Sequence, residues 1–169
     1  MPTLIEPHGG TLNNGYLDPE AAKALAAEAA QFPEWSLTHR QLCDLELILN
    51  GGFSPLEGFM PQADYERVRD EMRLADGTLW PIPVTLDVSD AFAGKVEGAS
   101  AASPVRVALR DAEGVLIAVM DVTDVYRPDK SLEAERVFGA DDPAHPAVHY
   151  LHHQAHPVYL GGRVRGIEQ

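Results

Sequence analysis

The sequence predicts an α+β domain with a small mixed or barrel-like sheet. Helical patterns lead the chain, β-branched and aliphatic runs hold its middle, and short helical patterns interrupt its end. Frequent glycine and proline, 14 and 13 residues, add many turns. A length of 169 residues suits one domain, or one plus an appendage, and is enough to bury a core.

Each element has a local reason. Asp18-Pro19-Glu20 offers a capping side chain, a proline at the first helical position and an acid in the first turn, so the alanine-rich run to Gln31 reads as a helix. Thr38-His39-Arg40-Gln41 has capping-box spacing, and Leu42, Leu45 and Leu49 share one face of the helix that follows. That helix stops at Asn50-Gly51-Gly52, where Asn50 or Gly51 is expected to take the left-handed cap. Ser54 would then cap a single turn opened by Pro55, with Phe53, Leu56, Phe59 and Met60 pinning it to the core. Tyr65, Val68 and Met72 mark the inner face of a third helix.

Asp76-Gly77 is a turn signal. After it, Leu79, Pro81 and Pro83 alternate with Trp80, Ile82 and Val84 as in a strand, which two prolines confine to an edge or a bulge. Residues 94–103 read as a surface loop. A hairpin follows, with strand 104–110, a turn at Asp111 to Gly114 and strand 115–126. Its valine, leucine and isoleucine runs mark the best-buried part of the sheet. Helical periodicity returns from Ser131 to Phe138 and again after Asp142-Pro143, and a short strand near Val158 to Leu160 ends in Gly161-Gly162.

Charge narrows the function. Twenty-six acids against thirteen bases give a net charge of −13, dispersed along the chain. Nucleic-acid binding needs a basic stripe to displace phosphate counterions, so this chain is not expected to bind RNA or DNA. No apolar run reaches the ~18 residues of a membrane span, the N-terminus lacks signal-peptide character, and one cysteine, Cys43, fits a reducing cytoplasm.

Candidate chemistry is sparse. The stretch "NGGFSPLEGF" has neither the spacing nor the lysine of a phosphate loop, and a helix, not a strand, precedes it; it reads as a structural corner. His145, His149, His152, His153 and His156 lie within twelve residues, and helical spacing could align several toward a divalent ion. The alternative, that they cap or bridge segments, is the expected one, and no metal ligand is assigned. Cys43 is expected to be a small buried hydrophobe. Asp121, Asp124 and Asp129 could recruit a cation but lack calcium-loop spacing. No Gly-x-Ser-x-Gly elbow occurs. No catalytic, cofactor-binding or metal residue is therefore assigned to this chain.

Several stretches together resemble one family. "PHGGTL" (7–12), "LTHRQLCDLELILNGGFSPLEGFM" (37–60), "DY" (64–65), "MRLADGTLWPIPVTLDV" (72–88), "LRDAEGVLIAVMDVTDVYRPDK" (109–130), "VFGADDPAHPAV" (137–148) and "YLGGRVRGI" (159–167) are similar to the N-terminal region of ATP sulfurylase, or sulfate adenylyltransferase. The resemblance spans essentially the whole chain, in the family's order. It implies one PUA-like domain over residues 1–169, a mixed β pseudobarrel with flanking helices. It also implies that the parent enzyme uses ATP with Mg²⁺, and that its nucleotide and sulfate residues lie in a following C-terminal catalytic domain carrying Gln-x-Arg-Asn-Pro-x-His-x-x-His. This sequence ends at Gln169 before that motif. The chain is therefore expected to be inactive alone, with the catalytic domain as its partner and a homo-oligomer possible through the parent. Arg163 and Arg165 are expected to contact that domain or solvent, with sulfate binding as the alternative. A stand-alone PUA-like interaction module binding RNA or protein is the alternative.

Overall fold

A computed structural model describes residues 4–167. In chain order its elements are α1 (Pro19–Ala29), β1 (Glu34–Ser36), α2 (His39–Leu49), β2 (Gly58–Phe59), α3 (Gln62–Glu71), β3 (Leu86–Val88), α4 (Asp90–Ala93), β4 (Val105–Arg110), β5 (Leu116–Tyr126), α5 (Lys130–Glu133), a π-helical turn (Ala134–Phe138), α6 (Pro146–His153) and β6 (Val158–Gly166).

The helix starts follow their caps. Asp18 accepts from the Glu20 and Ala21 amides at 3.1 and 3.0 Å. At α2 the capping box closes in both directions: the Gln41 amide donates to Thr38 Oγ1 at 3.3 Å, and the Thr38 amide donates to Gln41 Oε1 at 3.0 Å. Trp35 Nε1–H donates to the same Gln41 oxygen at 3.0 Å, which explains why a glutamine is buried there. The buried face of α2 is Gln41, Leu45, Ile48 and Leu49, with Leu42 half-buried. Cys43 is exposed, contrary to the sequence reading, because one residue on from Leu42 turns a side chain about 100° away from that face.

Three other expectations change. Tyr65 and Val68 are buried on α3, but Met72 is its left-handed C-cap (φ 54°) and stays 54% exposed. The helix ends before a third apolar position can reach the core. The proline-rich segment makes a strand only at β3, while Leu79 forms an isolated bridge with Arg73. Pro81 and Pro83 have no N–H to donate, and alternation breaks where Pro83 and Val84 are both buried beside exposed Ile82. Finally β6 does not end at Gly161-Gly162 but runs through them for nine residues.

The chain divides into two compact units, Met1–Phe59 with Pro104–Val122 and Gly162–Gln169, and Met60–Ser103 with Thr123–Gly161. The strands form a six-stranded mixed sheet in the order β1-β4-β5-β6-β2, with β3 also on β6, β1 parallel to β4 and β4 antiparallel to β5. The sheet is open among the described residues, with β1 and β2 at its edges. The hairpin registers Val105 against Val122 and Arg110 against Leu116, with a bulge at Leu109/Arg110. Gly114 (φ 88°) and Asp111, which accepts from the Glu113 and Val115 amides, shape its turn. Leu25 and Ala29 of α1 pack on Ala108 and Val119, burying the run that the sequence marked as the sheet's interior.

Two glycines explain the length of β6. A Cβ on Gly162 would overlap the Asp121 carbonyl oxygen, and one on Gly58 would overlap the Gly162 carbonyl oxygen. Backbones approach there more closely than any side chain permits, so the glycines mark contact and not termination.

In the second unit β3 runs antiparallel to the start of β6, Leu86 facing Leu160 and Val88 facing Val158. Ala134, Val148 and Leu151 form a small core from the π turn and α6, flanked by Phe138 and Ala155.

Candidate functional site

The histidines go separate ways. His145 is the N-cap of α6, its Nδ1 accepting from the Ala147 amide at 3.2 Å, and its ring stacks on Phe138. His149 and His153 pack ring to ring, 4.6 Å between centroids. His152 Nε2 pairs with Asp141, and this bond holds the Asp141 carboxyl below its ordinary range. The His156 amide donates to Asp87 at 2.7 Å. Among the described residues no three His, Cys, Asp or Glu side chains converge as a metal-ligand set.

The aspartates likewise have separate partners. Asp121 accepts from Arg165 at 2.8 Å, Asp124 from the Gln62 amide at 2.7 Å, and Asp129 caps α5 through the Leu132 amide at 3.0 Å. The glycine corner is structural, with one change of detail. Gly51 takes the left-handed conformation (φ 84°), while Ser54 ties the corner together instead of capping a turn. Its hydroxyl donates to the Gly51 carbonyl at 2.7 Å and accepts from the Asn13 amide at 2.9 Å, ahead of a cis bond to Pro55.

What sequence reasoning missed is a buried polar centre in the second unit. Tyr65 and Tyr159 both donate to Glu133 Oε2, at 2.7 and 3.0 Å. Tyr126 completes the ring cluster, with centroids 5.4 Å from Tyr65 and 5.8 Å from Tyr159, and donates to the Met60 carbonyl at 2.7 Å. Burial, reinforced by the Glu133 charge, pushes the Tyr65 and Tyr159 hydroxyls far up; burial and the Tyr65 charge do so for Tyr126. Lys130 clamps the end of α6 by donating to the Leu151 and Ala155 carbonyls at 2.9 and 2.7 Å; burial pulls its pKa down against Asp87 and Glu133. No hydrogen-bond period announces this centre, because its members come from four elements.

Each unit also carries a cleft. In the second, one of about 660 Å³ is lined by Gln62, Asp90, Glu97, Asp124 and Arg127, where Arg127 pairs with Asp90. In the first, one of about 400 Å³ lies among Asn13, Asn14, Tyr16, Glu57, Arg163 and Arg165. Neither presents a nucleophile with a base in hydrogen-bond reach.

A mixed sheet with flanking helices defines a domain class. The chain belongs to the PUA-like domain family, whose family model matches residues 5–169. Within that family it is similar to proteins named sulfate adenylyltransferase. It is 52% identical over 165 residues to the one from Phaeosphaeria nodorum and 46% identical over 166 residues to the one from Eremothecium gossypii. These matches take in 96% and 98% of this chain but only 28% and 32% of those proteins, so the chain spans about a third of its relatives' length. Among solved structures it is similar to a hexameric APS kinase from Thiobacillus denitrificans, with TM-score 0.71 and 34% identity over 97% of this chain and 27% of that one.

Proposed function

We propose that this chain is the N-terminal, non-catalytic domain of a cytoplasmic sulfate adenylyltransferase, a nucleotidyltransferase of sulfate assimilation. The reaction joins sulfate to the α-phosphorus of ATP, forming adenosine 5′-phosphosulfate and releasing pyrophosphate. One observation carries the reading: near-complete alignment of this chain accounts for only 28–32% of relatives named for that activity. The remainder of such a polypeptide has room for a separate catalytic domain.

Charge supports the division of labour. Charge developing on a pentacoordinate α-phosphorus and on departing pyrophosphate needs preorganised cations or dipoles around both groups. A chain with net charge −13, whose arginines mostly answer nearby acids, is poorly suited to that task. ATP would enter with Mg²⁺, but the donor set here does not fit that ion, because Asp121, Asp124 and Asp129 serve three different partners. The role of this chain is to pack on and position the catalytic domain, within a larger polypeptide that assembles as a homo-oligomer.

The test is an assay of the purified 169-residue chain with ATP, Mg²⁺ and sulfate. No pyrophosphate release is expected, and no retention of mixed RNA in a separate filter-binding assay. Turnover by the isolated chain would overturn the reading; salt-sensitive submicromolar RNA affinity would move it to an interaction module.

A further inference from the structure

We propose that the first unit's cleft, between residues 12–17 and the end of β6, binds an oxyanion through Arg163, Arg165 and Asn14. The ligand class is a sulfate, phosphate or carboxylate group. The inference does not rest on the adenylyl-transfer reading.

Hydrogen-bond donors are in surplus around this one cavity. Arg163 and Arg165 stand two residues apart on β6, so they share a face of the strand, with buried Val164 on the other. Both line the cleft of about 400 Å³, a volume within the ~300–1,000 Å³ range of small-ligand sites. Arg165 spends one arm on Asp121 at 2.8 Å, yet its Nε–H is buried without a protein acceptor among the described residues. A buried N–H is seldom left unmet. Arg163 is exposed, and its side chain has no ion pair or hydrogen bond with any described residue. Asn14 accepts the Tyr16 amide on Oδ1 at 3.1 Å, and its Nδ2 has no acceptor among the described residues.

The neighbouring polar groups sharpen the choice of ligand. Asn13 Nδ2 is already used by the Pro55 carbonyl at 2.6 Å, so the available donors are Asn14 and the two guanidinium groups. Glu57 is the acid in the lining, and its backbone carbonyl already accepts the Val164 amide at 3.0 Å. Asp121 answers Arg165 and Glu57 stands in the lining, so the guanidinium left over at the recess is that of Arg163. Guanidinium forks match oxyanions in both charge and bidentate geometry, and lysine-like point contact would not exploit the recess as well. Asn14 lies about 150 positions from Arg163 along the chain, and only folding brings both into the lining of one cleft.

The experiment is an amide-resolved NMR titration of the full chain at constant ionic strength, with sodium sulfate, sodium phosphate and sodium acetate as separate probes. Saturable shifts are expected at residues 13–16 and 163–166, with a dissociation constant on the order of a millimolar or tighter for at least one probe. Arg163→Gln, on an exposed side chain, should weaken binding by about tenfold, or 1.4 kcal/mol. Asn14→Ala should weaken it less, and Arg127→Gln in the other unit should leave it unchanged. Tighter sulfate or phosphate binding assigns a free tetrahedral oxyanion; equal or tighter acetate binding assigns a carboxylate borne by polypeptide. Either supports the site. Shifts that stay linear with every probe overturn it, and so does full affinity in Arg163→Gln.

Discussion

Removing one hydroxyl from the Glu133 cluster tests whether a charge-assisted network holds the second unit together. Tyr159→Phe keeps the ring, its volume and its edge-to-face contacts with Tyr65 and Tyr126, and deletes only the donor to Glu133. Tyr159 is 2% exposed and Glu133 7% exposed, so water cannot readily replace the bond. A hydrogen bond to an ionised group contributes about 1.5–3 kcal/mol, against about 1 kcal/mol between neutral groups. Tyr65→Phe, which loses the shorter 2.7 Å bond to the same oxygen, should cost at least as much. Tyr126→Phe is the internal control, because its hydroxyl meets a neutral carbonyl and should cost about 1 kcal/mol. Urea denaturation gives all three, and a loss of about 2 kcal/mol should lower the Tm by roughly 4–8 °C in a chain of this size. The Tyr65/Tyr159 double variant should cost more than the sum, since in each single variant the remaining hydroxyl still serves the shared oxygen. An equal or larger loss in Tyr126→Phe than in Tyr159→Phe would refute the account.

Alkaline pH should attack the same cluster. The three tyrosines titrate far above their ordinary 10.0 when folded, so their contribution is intact below about pH 10 and is lost as pH rises above it. The slope should be about 1.4 kcal/mol per pH unit for each tyrosine, and shallower by one such share in Tyr159→Phe, read as urea midpoints across that range. Gly162→Ala should cost about 3 kcal/mol, because the new methyl meets the Asp121 backbone and the strand must move; thermal melts measure it. Thr38→Ala should cost about 1 kcal/mol by opening the capping box of α2, and Gln41→Leu about 2 kcal/mol, because Gln41 accepts from both Thr38 and Trp35. On the acid side, the Asp141 contribution is present above the ordinary carboxylate range and lost as pH falls through its lowered value, so Asp141→Asn should blunt acid unfolding monitored by circular dichroism.

The starts of α1 and α2, the β4–β5 hairpin and the corner at Gly51 were legible from sequence alone. Their causes are local: Asp18 and Thr38 cap within three residues of themselves, Gly51 supplies a positive φ, and unbroken aliphatic runs suit strands buried on both faces. The motif string also carried the family, which the match over residues 5–169 bears out. The tertiary structure decided the rest, because those features depend on residues distant in sequence. Gly162 continues a strand only because the Asp121 backbone lies against it, and His152 leaves its neighbours because Asp141 stands opposite. Glu133 is buried because hydroxyls 68 and 26 positions away reach it. Backbone propensity and periodicity act over a few residues, whereas the desolvation of a carboxylate or a guanidinium depends on everything that packs around it. That difference in range is why the elements could be read along the chain, while the polar centre and the arginine cleft required the fold.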